Sequence, residues 1–162
     1  IAKQTLNILE QQFSTIQKPG QAPLNKTSNR EQSSVLIVED ELNIRELLKD
    51  FVSSNGCAAI TAADGQEAIL AIQKQHFDLV FLDLKLPRIS GVEVLKKIKQ
   101  TSPNTPVVVS GDAADLEAVQ DRAFRPQWVI PKPFKLQQIS EALNMWLGRE
   151  AAYQEPAFRS NS

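Results

Sequence analysis

Cysteine is almost missing from this chain: Cys57 is the single thiol among 162 residues. One cysteine closes no internal disulfide, so a disulfide-held secreted scaffold is excluded and a reducing, cytoplasmic setting is expected. No run of about 18 apolar residues occurs, so this fragment should not cross a membrane as a helix, although a parent chain could be membrane-anchored. The opening IAKQTLNILEQQF is too polar for the apolar centre of a signal peptide. It begins at Ile1 rather than Met, which reads as a fragment or a processed product. An excess of one charge is also lacking. Eighteen Lys and Arg against 19 Asp and Glu leave a net charge of −1, without the basic footprint of a nucleic-acid binder. Histidine occurs once, as His76, where the pattern suggests a partner for a helix C-terminus. What remains, 42% hydrophobic and 23% charged, is an ordinary globular mixture rather than a disordered one.

The pattern divides the chain into four zones. In residues 1–17, Ala2, Leu6, Leu9, Phe13 and Ile16 recur at helical steps and form one apolar stripe. Such a helix could pack on the downstream domain, associate with a second copy, or be the stump of an upstream domain. Residues 18–34, KPGQAPLNKTSNREQSS, read as a linker. From Val35 to Leu147, short apolar runs alternate with helical spacing. The runs are Val35–Val38, Ala58–Ile60, Leu79–Leu82, Val107–Val109 and Trp128–Ile130. Their spacing matches strand, turn, helix and turn, and continuous apolar strands imply burial on both faces. Five strands alternating with five helices predict an α/β fold, a doubly wound five-stranded parallel sheet. The fourth helix, marked only by Leu116, Ala118 and Val119, is the weakest. Residues 148–162 read as a flexible tail.

In an open parallel sheet, ligands bind beyond the carboxyl ends of the strands. The first strand runs into Glu39-Asp40-Glu41, the third into Asp83, the fourth into Ser110 and the fifth into Lys132. Taken singly, Asp40 or Ser110 could be a helix N-cap. Lys132 could not, because its charge opposes the dipole at a helix start. Carboxylates gathered so closely repel one another, and Mg²⁺, a hard cation taking oxygen ligands, would relieve that repulsion. Asp83, ending the central strand beside such a cation, is a nucleophile suited to phosphorus. Phosphoryl transfer then needs alignment and neutralised phosphate oxygens, which the Lys132 ammonium and the Ser110 hydroxyl can supply.

Val35-Leu-Ile-Val-Glu-Asp-Glu41, Phe81-Leu-Asp-Leu-Lys-Leu-Pro87, Ser90-Gly91, Val109-Ser-Gly111 and Lys132-Pro-Phe134, in this order and spacing, resemble two-component receiver domains of response regulators. The resemblance covers residues 35–147 and implies the flavodoxin-like (βα)5 receiver fold. By that resemblance, Asp83 is the phosphorylated aspartate, with Ser110 and Lys132 as the switch hydroxyl and lysine. Glu39, Asp40 and Asp83 hold Mg²⁺ together with the backbone carbonyl of Lys85, and the Lys132–Pro133 bond is cis. The resemblance also implies a histidine kinase or histidine phosphotransfer protein as the partner. Lys85 and Asp112, two residues beyond Asp83 and Ser110, are expected to pair across the pocket mouth or to stand as two solvated charges.

The sequence departs from the family at Val129, where receivers often carry an aromatic switch residue. Trp128 is adjacent, but neighbouring strand residues face opposite ways, so it should pack elsewhere. Ala123–Gln127 lacks the usual glycine-acidic turn, and Lys96, Lys97 and Lys99 read as a solvated helix face. The expected output face spans 112–147. An apolar-striped helix and a linker ahead of the receiver resemble the C-terminal receiver of a hybrid sensor histidine kinase. A free-standing response regulator is the alternative. A hydrolase with an aspartyl-phosphate intermediate is disfavoured, because Lys85 stands where a second acid is needed. A flavin binder would need a phosphate loop that the first turn lacks.

Overall fold

The computed structural model describes residues 6–10, 12, 32–120 and 122–148. Ala2, Phe13 and Ile16 of the apolar stripe, nearly all of the expected linker, and the tail beyond Gly148 lie outside the described residues. Five strands form one parallel sheet: β1 Ser34–Val38, β2 Ala58–Ala62, β3 Leu79–Asp83, β4 Val107–Gly111 and β5 Trp128–Pro131. Their spatial order is β2-β1-β3-β4-β5. The helices between and after them are α1 Leu42–Ser54, α2 Gly65–Lys74, α3 Gly91–Thr101, α4 Ala113–Glu117 and α5 Leu136–Leu147. This is the doubly wound α/β architecture that the pattern predicts. Residues 6–10 and 12 are helical.

The sheet sorts its side chains by parity, as a pleated strand must. Val35, Ile37, Leu79, Phe81, Val108 and Ile130 face a layer built on α1 and α5. Leu36, Val38, Val80, Leu82, Val107 and Val109 face a second layer built on α2 and α3. Burial on both faces explains why these strands show continuous apolar runs. The edge strands β2 and β5 are the exceptions, each with one buried residue, Ala62 and Ile130. Trp128 packs on the α1/α5 layer and Val129 on the other. Trp128 therefore does not take the place of an aromatic at Val129.

Local chemistry sets the helix ends. Asp64 caps α2 through Glu67 N–H and Ser90 caps α3 through Glu93 N–H. Gly91 follows Ser90, and a Cβ there would lie 2.3 Å from Leu84 Cα and 2.6 Å from Leu84 O. Only glycine lets α3 begin this close to the backbone after Asp83. The helix α4 has five residues and buries none of them. Val119, assigned to it from the pattern, is buried beyond its end. A 3-10 turn, Arg122–Phe124, follows.

Two expectations need correction. Helix α2 ends at Lys74, and the His76 imidazole lies 3.6 Å from Asp78 rather than on the helix carbonyls. The lysine row on α3 is only partly solvated. Lys99 Nζ donates to Thr105 O at 3.2 Å and to Gln127 Oε1 at 2.7 Å, while Lys96 stands 5.5 Å from the centre of the Phe124 ring. These contacts tie the stretch before β5 to α3.

Candidate functional site

The chain order reverses across β1 and β3: β2 lies on one side of β1, and β3, β4 and β5 on the other. A crevice opens at the carboxyl ends of strands at such a switch point. Parallel register delivers residues to it, with Val38 paired to Leu82 and Asp83 to Ser110. Glu39 and Asp40 follow β1, Asp83 ends β3, Ser110 lies near the end of β4, and Lys132 follows β5. Backbone hydrogen bonds lock these ends together. Leu84 N–H donates to Ser110 O at 2.9 Å, and Lys132 N–H donates to Gly111 O at 2.9 Å.

One oxygen from each of Glu39, Asp40 and Asp83 lies within 4.8 Å of the others. Glu39 and Asp83 are buried and Asp40 is exposed. The Lys132 ammonium donates to Asp83 Oδ1 at 2.9 Å, and so does Lys85 N–H, also at 2.9 Å. Both contacts fall on Oδ1, leaving the other oxygen of Asp83 free of them. Ser110 is half-buried beside Asp83. The Lys85 side chain is exposed, so only its backbone takes part in these contacts. The Lys132–Pro133 peptide is cis.

The electrostatics follow from crowding two acids into a dry place. Burial pushes the Glu39 carboxyl up to about 9, helped by the negative charge of Asp83 and a hydrogen bond to it, and opposed by Lys132. Burial also works to lower Lys132, but the hydrogen bond and charge of Asp83, with Glu39 and Asp40, outweigh it and hold the lysine above its ordinary value. Without a cation, Glu39 therefore keeps its proton at neutral pH. Hard oxygen donors converging under that strain are the donor set that Mg²⁺ takes.

Asp40 and Ser110 are not helix caps. The residue preceding α1 is Glu41, which makes no side-chain cap, and Ser110 lies within β4. Asp112 does cap a helix. Its side chain accepts from Asp115 N–H, and its carboxyl is lowered mainly by that bond, with Lys85 contributing least. The expected Lys85–Asp112 pairing is thus an electrostatic influence between two exposed groups, and no ion pair between them occurs among the described residues.

Sequence reasoning missed Arg45. From α1, its Nη1 donates to Glu39 O at 2.9 Å and to Asp40 O at 3.1 Å. It clamps the backbone of the acidic turn and so aims both carboxylates. The only signal was a basic residue one helical turn after an acidic run, which is too common to single out.

Comparison with known proteins agrees with this geometry. Residues 35–144 match the family described as response regulator receiver domain. Sporulation initiation phosphotransferase F of Bacillus subtilis is 32% identical over 114 residues, covering 70% of this chain and 92% of that protein. The autoinducer 1 sensor kinase/phosphatase LuxN of Vibrio harveyi is 28% identical over 129 residues, covering 79% of this chain but 15% of LuxN. Among solved structures, the receiver domain of sensor histidine kinase PA1611 from Pseudomonas aeruginosa, with a magnesium ion in its active-site cleft, superposes with a TM-score of 0.66. That match has 23% identity and covers 74% of this chain and all of that one, a likeness of fold. With five parallel strands in receiver order and the family match over residues 35–144, this chain belongs to the response-regulator receiver family.

Proposed function

We propose that the chain accepts a phosphoryl group on Asp83 from a phosphohistidine of a histidine kinase or histidine phosphotransfer protein, and changes conformation in response. One observation carries this reading. A buried carboxylate has one oxygen held by an ammonium and a backbone amide, and its other oxygen free of both. That second oxygen attacks phosphorus, the nitrogen–phosphorus bond breaks, and the imidazole leaves with the electron pair.

Glu39, Asp40 and Asp83, with the backbone carbonyl of Lys85, would hold Mg²⁺, which when bound neutralises phosphate oxygens. The protein's own groups do the rest. Burial keeps water from Asp83, Lys132 moves toward the incoming phosphoryl oxygens, and the Ser110 hydroxyl offers a further donor from the adjacent strand. A conformational response requires contacts that differ between the two states, and Lys132 and Ser110 provide them. The domain thereby catalyses its own phosphorylation and dephosphorylation. The expected setting is cytoplasmic, and among the described residues no helix is long and apolar enough to cross a membrane.

Two contexts fit the relatives. Similarity to LuxN favours a receiver within a hybrid histidine kinase, and similarity along nearly all of phosphotransferase F favours a free-standing response regulator. We favour the hybrid kinase, since a striped helix precedes the receiver. Incubation with Mg²⁺ and acetyl phosphate, read by intact mass, should add one phosphoryl group to the wild type and none to Asp83→Asn. Equal labelling of the variant would remove Asp83 as acceptor.

A further inference from the structure

The start of α5 is capped from far away along the chain. Lys135 precedes the helix, and an ammonium has no acceptor to offer a free amide. The amide of Leu136 donates instead to Gln12 Oε1 at 2.8 Å, a residue 124 positions earlier. Leu9, on the same side of the N-terminal helical segment, has no exposed surface. It joins the layer containing Phe134, Leu136, Ile139 and Leu143, with Leu6 packed at the margin. Steps of three along a helix put Leu6, Leu9 and Gln12 on neighbouring positions.

This contact lands on the stretch that carries the site lysine. Lys132 is fixed at one end by its ammonium on Asp83 and by its amide on Gly111. Leu136, at the other end, is fixed by Gln12. Between them, Phe134 is buried in the layer that Leu9 enters. Residues 132–136 are therefore held from both ends, and the docked helix accompanies the arrangement in which Lys132 rests on the free carboxylate. A phosphoryl group on Asp83 would draw that ammonium away toward its own oxygens.

We propose that residues 6–10 and 12 act as an intramolecular latch. Docked on the α1/α5 layer, they hold the 132–136 stretch in the unloaded arrangement, and loading of Asp83 loosens them. This rests on the reading of Asp83 as a phosphoryl acceptor. Coupling between two sites is reciprocal, so freeing the helix favours the loaded site to the same degree.

The test uses the whole chain, hydrogen exchange of the Leu136 amide by NMR, and beryllofluoride with Mg²⁺ as a phosphoryl substitute. Gln12→Ala should speed Leu136 exchange and tighten beryllofluoride binding, each about fivefold, the lower end of ordinary couplings. Gln12→Glu keeps an acceptor facing the positive end of α5 and should restore both. Beryllofluoride should speed Leu136 exchange in the wild type, and Lys132→Ala should do so with no ligand present. Leu136 exchange unmoved by bound beryllofluoride, or a beryllofluoride affinity unmoved by Gln12→Ala, overturns the latch. A wild type that fails to bind beryllofluoride counts against Asp83 as acceptor, and the Lys132→Ala comparison then decides the latch by itself.

Discussion

Magnesium binding should be strongly pH-dependent, because the cation must displace a proton. Glu39 is 4% exposed beside the equally buried Asp83, and its carboxyl lies at about 9. At pH 7 that carboxyl sits about two pH units below its release point, so ionising it costs roughly 3 kcal/mol. Apparent Mg²⁺ affinity at pH 7 should then be about a hundredfold below its alkaline limit, rising about tenfold per pH unit between pH 6 and 8. Calorimetry in buffers of different ionisation enthalpy should count about one proton released per cation bound. Glu39→Gln removes the titrating group and should flatten the profile. The same shift acts on stability in the opposite sense to an ordinary carboxylate. Without a cation, the folded chain holds a proton that the unfolded chain has lost above its usual value near 4.5. Stability therefore falls as pH rises from there toward 9, by up to about 1.4 kcal/mol per unit. Lys132, raised above 10.5, contributes stability that is complete at neutral pH and is lost only in strong alkali. A flat Mg²⁺ affinity from pH 6 to 8 with no proton release would refute this account of the site.

Other substitutions test the scaffold. Gly91→Ala places a methyl 2.3 Å from Leu84 Cα, where only backbone could yield, and should lower the urea-derived stability by about 3 kcal/mol or more. Arg45→Ala releases the carbonyls of Glu39 and Asp40; a stability loss of about 1–2 kcal/mol and weaker Mg²⁺ binding in the same titration are expected. Gln127→Ala strips the acceptor shared by Val107 N–H and Lys99 Nζ, each at 2.7 Å, and should cost about 1–3 kcal/mol in thermal unfolding. An unchanged melting temperature would mean that water replaces the side chain.

The parts of this molecule legible in advance are those fixed by periodicity and by strand ends. Val35–Val38 and Leu79–Leu82 could only be strands buried twice over, and parallel pairing then brings the residues that follow them to one edge. Glu39, Asp40, Asp83, Ser110 and Lys132 arrive there together for that reason. What could not be read were contacts set by tertiary packing rather than by a repeat. Arg45 reaches backbone carbonyls, which leave no trace in side-chain pattern. Gln12 meets Leu136 only because residues 6–10 and 12 pack back on the domain, one of three readings the stripe left open. Lys99 looked solvated because its partners, Thr105 O and Gln127, lie across a loop. The short α4 ends at Glu117, ahead of the buried Val119 that the weak pattern had assigned to it.

The two tryptophans of the chain stand on the same side of the sheet, Trp128 from β5 against Trp146 from α5, with ring centres 5.9 Å apart. Intrinsic emission from this protein is thus a one-sided gauge. It registers rearrangement near the C-terminal helix and stays silent when the opposite layer alone repacks, so a dark titration and a bright one would identify which half of the molecule has moved.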